Sequence, residues 1–391
     1  MKKAKFLFFT ILSIIIPIFC SGFIPQKFIL FSYTLSITIK SLIITILPFI
    51  IFCFIFCSLI NLNAKKAIRF VFLLIGCVFI SNLLGILTGY FIGSSLTYLI
   101  DIPPLELSKA RTTLQPLWHF GFKPLIANEQ ALISGFILGI ICSIYPSQKI
   151  YTLSKILNNI SANILKYFFI PILPIFILGS MFKLQHDGLL TEALHIYSKI
   201  LFIVVSSQIL YLTILYLIAS KFQLSLFLKY IKNVLPATLI GFSTSSSASS
   251  LPILVMASEK NLGNELAARI IVPASINIHT LGSALAITIL CMTTIAAFGM
   301  EVPKFSEFYL FALFYAVSKF AVAGVPGGVI LVVAPLIESY LHFSGDMLAL
   351  ITGIYVLFDP FGTAANVTGN GAFAIIFNKI SKKFRSSVEQ S

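Results

Sequence analysis

Asp359-Pro360-Phe361-Gly362-Thr363-Ala364-Ala365-Asn366-Val367-Thr368-Gly369-Asn370 sets polar residues inside an apolar stretch, 346–377, long enough to cross a bilayer. Asp359, Thr363, Asn366 and Asn370 follow one another at i, i+4, i+7 and i+11, which places them on one face of a helix. Tyr355 stands one turn earlier on that face. A carboxylate at mid-membrane costs about 2.5–3.5 kcal/mol even on the lenient insertion scale. Asp359 therefore calls for a partner: a basic side chain, a bound cation, a proton or a cationic solute. Pro360 deletes one backbone hydrogen bond and is expected to loosen the helix there. Polar residues that only glue helices together explain Thr363 or Asn366 singly, but explain poorly a stripe containing an acid.

The rest of the chain is of the same kind. Of 391 residues 58% are hydrophobic and only 10% charged, with a mean hydropathy of +1.01. A soluble domain has about 25% charged residues, so the bilayer is the solvent for this sequence. The formal charge of +14 is carried by short segments between apolar runs, a topology signal rather than a polyanion site. All six cysteines (Cys20, Cys53, Cys57, Cys77, Cys142 and Cys291) lie within apolar segments. No metal-type spacing or histidine cluster accompanies them, so neither a disulfide framework nor a zinc site is expected. Met1 to Phe19 has the look of a secretory signal but lacks a small-x-small cleavage site, and an uncleaved first helix is expected.

Apolar segments fall at roughly 6–24, 35–62, 69–99, 128–147, 158–182, 196–220, 267–299, 308–337 and 346–377. Basic clusters at Lys2/Lys3/Lys5, Lys65/Lys66/Arg69, Lys149/Lys155, Lys221/Lys229/Lys232 and Lys379/Lys382/Lys383/Arg385 follow alternate ends, which places both termini in the cytoplasm. Two segments are interrupted. Ser243 to Ser250 breaks the stretch 228–256, and Gly324-Val325-Pro326-Gly327-Gly328 breaks 308–337. Two half-helices in a re-entrant hairpin satisfy the backbone better than one kinked span, provided the irregular tip is buried in protein or lines a cavity. Paired broken segments point to a transporter site at an inverted-repeat interface.

The residues resemble the glutamate-transporter family of dicarboxylate/amino acid:cation symporters. Asp359 to Asn370 is similar to the last-helix motif Asp-x-x-Arg-Thr-x-x-Asn-Val-x-Gly-Asp, and Ser245 to Pro252 to the serine-rich first hairpin tip. Ala323 to Gly327 is similar to the second tip, Ala-Gly-(Ile/Val)-Pro-Gly; His279 to Leu285 stands in the place of Asn-Met-Asp-Gly-Thr-Ala-Leu in the seventh helix. The resemblance implies an all-α membrane protein with eight transmembrane helices plus two re-entrant hairpins, working as an elevator in a homotrimer of a bacterial inner membrane. It divides the chain into scaffold helices 1–2 (1–66), transport-domain helix 3 (67–100), scaffold helices 4–5 (101–194), the remaining transport domain (195–385, hairpins about 227–257 and 308–337) and a tail (386–391).

By this correspondence the substrate touches Ser246, Ser247 and Ala248 of the first tip, Ser283, Val325, Pro326 and Gly327 of the second tip, and Asp359, Gly362, Thr363 and Asn366. Serine hydroxyls and backbone N–H groups suit an α-carboxylate. Asp359 stands where amino-acid carriers pair the substrate's ammonium, and Gly362 where acidic-substrate carriers hold an arginine. Ser245 does not replace that arginine. Burying a second carboxylate without a counter-charge costs several kcal/mol, roughly a hundredfold in affinity, so a small neutral amino acid is expected. An acidic amino acid or C4-dicarboxylate is the alternative. Lys319 could pair with such a substrate, place a fixed cation near a sodium site, or snorkel to the interface.

Coupling is expected to use sodium, protons or both. Leu281 and Asn370 stand where the family has sodium-holding aspartates, while Asn366, Asn370, Ser81, Asn82 and carbonyls could still build a weaker site. His279 could carry a proton. No cofactor or nucleic acid is expected, and no nucleophile elbow or phosphate loop is present to suggest an enzyme or ATP-driven pump. An ion channel is the rival from another class, because broken helices also build filters.

Overall fold

The computed structural model describes residues 3–61, 68–99, 114–120, 122, 125–145, 147–188, 190–322 and 327–389. Among these, all regular structure is helical. In chain order the helices are α1 (Lys3–Cys20), α2 (Gln26–Asn61), α3 (Ile68–Leu99), α4 (Asn128–Ile144), α5 (Gln148–Asn163), α6 (Ile170–His186) and α7 (Leu190–Ala219). There follow α8 (Leu224–Thr244), α9 (Ser247–Leu262), α10 (Glu265–Ser275), α11 (Leu281–Ala297), α12 (Phe305–Ser318), α13 (Gly328–Leu341) and α14 (Gly345–Glu389).

Four helical stretches are long and apolar enough to span a membrane unaided: Gln26–Ile60, Phe70–Thr97, Ala193–Ala219 and Gly345–Lys382. A fifth pass is α5 and α6 together, bent by 41°. A π-helical run, Ile164–Phe169, joins them, and Pro171 and Pro174 follow at once. Wide turns and missing N–H donors together account for the bend. This pass begins at Gln148, ten residues before the apolar run at 158, because α5 is amphipathic and carries Lys149, Asn158 and Asn159. The eight expected passes map onto α1, α2, α3, α4, α5–α6, α7, α10–α11 and α14.

The helices fall into two packing groups. α2 lies against α4, α5 and α6, with α1 on α6; α11 lies against α3, α7 and α14, and α14 against α7, α8 and α9. Small residues allow both groups to close. Gly85, Gly89 and Gly93 form one stripe on α3, where added Cβ atoms would meet Leu281, Thr288 and Met292 of α11 at 2.5–2.9 Å. Gly135 and Gly139 let α4 approach α2 in the same way. Two ion pairs link the groups: Lys40 of α2 with Glu338 of α13, and Lys183 of α6 with Asp346 of α14, each at 2.6 Å.

α8 and α9 form the first hairpin. Asn261 joins its arms at the base, accepting from Asn233 Nδ2 at 2.7 Å and donating to the Tyr230 carbonyl at 3.2 Å. Its break is shorter than the serine run: α8 continues through Thr244, and Ser247–Ser250 are already the first turn of α9. Ser245, in the left-handed region at φ 46°, makes the reversal. α12, a 3₁₀ turn over Lys319–Ala321, and α13 form the second hairpin, with Phe314 stacked on Tyr340 across its arms. Gly327 opens α13 at φ +70°, a conformation that favours glycine.

α14 remains one helix through Pro360. One expectation is corrected here. The segment 267–299 is not one span but is broken between Ser275 and Leu281, with its backbone polar groups taken up by neighbouring side chains.

Candidate functional site

The middle of α14 is held by its polar face. Asp359, Thr363, Asn366 and Asn370 are all buried, at 5%, 4%, 3% and 0% exposure. Asp359 Oδ2 accepts from the Gly327 N–H at 3.1 Å, so the start of α13 docks on the carboxylate. Ser245, Ser246 and Ser247 of the first hairpin, Ile276, Asn277 and Thr280 of the break, Val322 and Val329 of the second hairpin, and Asp359, Thr363 and Asn366 line one cavity of about 20 Å³. That is room for about one water. Among the described residues, Asp359 is the one charged residue in this lining.

Ser283 is the organiser beneath. Its hydroxyl accepts from Tyr355 O–H and from Asn366 Nδ2, both at 2.9 Å. Its N–H donates to Asn366 Oδ1 at 3.1 Å, and its carbonyl accepts from Tyr315 O–H at 3.2 Å. Both ends of the Asn366 amide are thus turned toward Ser283, which fixes the α11–α14 register at the site. The register needs Gly282: a Cβ there would strike Ala365 Cβ and come within 2.6 Å of the Gly362 carbonyl. Gly362 itself would accept a Cβ without a clash, since the nearest atoms, Ser283 Oγ at 3.7 Å and Tyr355 Oη at 4.0 Å, lie at ordinary contact distance.

The break between α10 and α11 is clamped from three sides. Asn82 donates to the Ile278 carbonyl at 2.8 Å and accepts from the Thr280 N–H at 3.2 Å. Asn370 Nδ2 donates to the His279 carbonyl at 2.9 Å and to the Asn366 carbonyl at 3.0 Å. Lys319, wholly buried, donates to the Thr280 carbonyl at 3.1 Å and lies 4.6 Å from the Tyr315 ring centre. Snorkelling therefore does not describe it. His279 stacks on Phe373 at 4.5 Å and shares a 2.8 Å hydrogen bond between Nε2 and Ser81 Oγ.

The structure thus gathers Ser246, Ser247, Asp359, Thr363 and Asn366 around one cavity, with Ser283, Gly327 and Gly362 beside them through the contacts above. Ala248 is the next residue along the first turn of α9 and does not line the cavity. Ser81, Asn82, His279, Lys319 and Asn370 gather around the break, next to the cavity through Thr280. Val325 and Pro326 lie outside the described residues. Sequence reasoning missed Tyr315, Asn277, Thr280 and Gln208, whose Nε2 donates to the Gly282 carbonyl at 2.9 Å. Only the polar run Ser206-Ser207-Gln208 within a largely apolar helix marked Gln208, and nothing local marked its partner.

Two interrupted hairpins meeting a polar face inside an all-helical, apolar chain have the architecture of a membrane carrier. The chain belongs to the Sodium:dicarboxylate symporter family, whose profile matches residues 6–380. Members of that family are symporters, not enzymes. Over 169 residues the chain is 26% identical to the proton/glutamate-aspartate symporter of Bacillus subtilis (strain 168), covering 43% of this chain and 40% of that protein. It is 30% identical over 157 residues to the C4-dicarboxylate transport protein of Verminephrobacter eiseniae (strain EF01-2), covering 40% and 35%. With the proton/sodium-glutamate symport protein of Geobacillus stearothermophilus the identity is 28% over 193 residues, covering 48% and 44%. Each alignment spans less than half the relative's length.

Proposed function

We propose that this protein is a secondary transporter that carries a small neutral amino acid across a bacterial inner membrane, coupled to a cation, sodium or proton. The observation that carries the substrate class is the cavity lining, in which Asp359 is the one charged group among the described residues. An α-ammonium answers that carboxylate. The N-terminus of α9 at Ser247, with its positive dipole end, suits the α-carboxylate. A side chain would extend toward Gly362, where the atoms nearest an added Cβ are the Ser283 and Tyr355 hydroxyl oxygens rather than a base. A second carboxylate there would be buried unpaired, at several kcal/mol.

The relatives' names speak of glutamate, aspartate and C4-dicarboxylates. Such substrates would need a basic group in the cavity, and Lys319, which donates to the Thr280 carbonyl, is not among the described residues that line it.

A cavity of about 20 Å³ is too small for any amino acid. Binding therefore requires the Gly327 tip to leave Asp359 and close again over the solute, which makes the second hairpin the gate. The two packing groups support a division into a scaffold (1–66 and 101–194) and a moving domain (67–100 and 195–385), with the mobile group carrying the site in an elevator stroke. A homotrimer with both termini in the cytoplasm is the assembly this reading adopts.

The test is a competition panel of radiolabelled amino acids in proteoliposomes. Neutral amino acids should compete, and aspartate, glutamate and succinate should not. Preferential competition by the acidic set would reverse the substrate assignment, and ion current without solute accumulation would replace the carrier by a channel.

A further inference from the structure

A coupling sodium ion in a carrier with broken helices is held by the carbonyls of unwound backbone. In this chain the unwound backbone of the seventh pass is Ile276–Thr280, and its last three carbonyls each accept from a nitrogen on a different element. Ile278 O takes Asn82 Nδ2 of α3, His279 O takes Asn370 Nδ2 of α14, and Thr280 O takes Lys319 Nζ of the second hairpin. The Thr280 carbonyl also accepts the Ala284 N–H at 3.0 Å, so both its lone pairs are used. Asn370 reaches the Asn366 carbonyl with the same nitrogen.

A sodium ion placed at these oxygens would face N–H hydrogens that carry the same sign of charge. The side-chain oxygens left over do not replace them. Among the described residues, Asn370 Oδ1 and Thr280 Oγ1 are buried without a hydrogen-bond partner, whereas a hard cation of this kind takes about six oxygens. Turning the Asn370 amide over would set its oxygen against the His279 and Asn366 carbonyls, acceptor against acceptor. The donor set at the break does not fit a sodium ion.

We propose that the Lys319 amine and the Asn370 and Asn82 amides stand in for a metal cation at the break, and that this protein neither binds nor transports sodium there. The inference rests on the carrier reading and narrows its coupling ion. Lys319 is then a tethered donor that travels with the second hairpin, closing the gate arm onto the seventh pass without an ion.

The experiment uses the full-length protein in detergent and compares its thermal midpoint in sodium chloride and in choline chloride at equal ionic strength. An ion at about a hundredfold its dissociation constant raises the midpoint of a protein this size by roughly 3 °C or more. The wild type should show no sodium-specific shift, and a rise of that size overturns the proposal. Asn370→Asp puts an acceptor carboxylate against the same carbonyls, and Lys319→Ala releases Thr280 O. Each should acquire a sodium-specific rise, and well-folded variants that both remain indifferent to sodium would show that these nitrogens do not fill a cation's place. Uptake in proteoliposomes separates this from the function. Tenfold stimulation of amino-acid uptake by inward sodium overturns the ion inference and leaves the carrier standing. A protein that moves no amino acid, yet shows no sodium shift in the wild type and a shift in the variants, removes the proposed substrate and leaves the inference intact.

Discussion

Replacing Asp359 by Asn removes a charge while changing the shape of the side chain very little. The remaining carbonyl oxygen can still accept the Gly327 N–H, now 3.1 Å from Oδ2, so the second hairpin keeps its closed contact. What disappears is the attraction between a buried carboxylate and a substrate ammonium. Charge-assisted hydrogen bonds contribute about 1.5–3 kcal/mol, and each 1.4 kcal/mol is a factor of ten in affinity. Asp359→Asn should therefore weaken binding of a neutral amino acid by roughly 10- to 150-fold. The deamino analogue of the same substrate isolates the interaction, because it has no ammonium to lose. Its affinity should change little, so wild-type discrimination between the two should collapse in the variant. Equilibrium binding to purified protein measures both, with the thermal midpoint as the control for folding. Unchanged affinity for the amino acid, or equal losses for both ligands, would refute the assignment of Asp359 to the ammonium.

Gly362→Arg introduces a guanidinium at a position where an added Cβ makes only ordinary contacts, with Ser283 Oγ at 3.7 Å and Tyr355 Oη at 4.0 Å. Neutral substrates should compete at least about tenfold less well, and aspartate or glutamate should begin to compete; an unchanged panel would count against the pocket. Ser283→Ala strips the shared acceptor from Tyr355 and Asn366, and a buried donor left unmatched costs about 1–3 kcal/mol. Thermal stability and substrate affinity should fall together, and a variant that binds normally would show that the hub does not position Asn366. Glu338→Gln breaks the partly exposed pair with Lys40 between the two packing groups, an interaction of about 1 kcal/mol or less. If the groups slide past one another, turnover should change by up to about fivefold with affinity unaltered, as read from uptake rates at saturating substrate.

The polar face of α14 was legible because helical periodicity is local: four residues at fixed spacing lie on one side whatever surrounds them. The hairpins were legible for a similar reason, since serine, glycine and proline runs interrupt apolar segments visibly. The break at Ile276–Thr280 was not. Its residues, Ile276-Asn277-Ile278-His279-Thr280, follow Pro273 but carry no glycine, and the unwound carbonyls are stabilised by Asn82, Lys319 and Asn370, about 40 to nearly 200 positions away in the chain. Lys319 makes the same point from the other side. A lysine in an apolar hairpin either reaches the interface or finds an internal acceptor, and which it does depends on where another helix has lost its regular hydrogen bonds.

By itself, then, the amino-acid order determined that this is a helical membrane protein with two broken hairpins and an acid on a polar helix face, because hydropathy and periodicity act over one or two turns. Tertiary structure alone decided that Ser245, Ser246 and Ser247, Val322 and Val329 of the second hairpin, and that acid line a single cavity, that Ser283 joins α11 to α14, and that nitrogen donors meet the carbonyls of the broken pass. Those outcomes depend on which distant polar groups are brought within about 3 Å of one another in a medium without water to satisfy them.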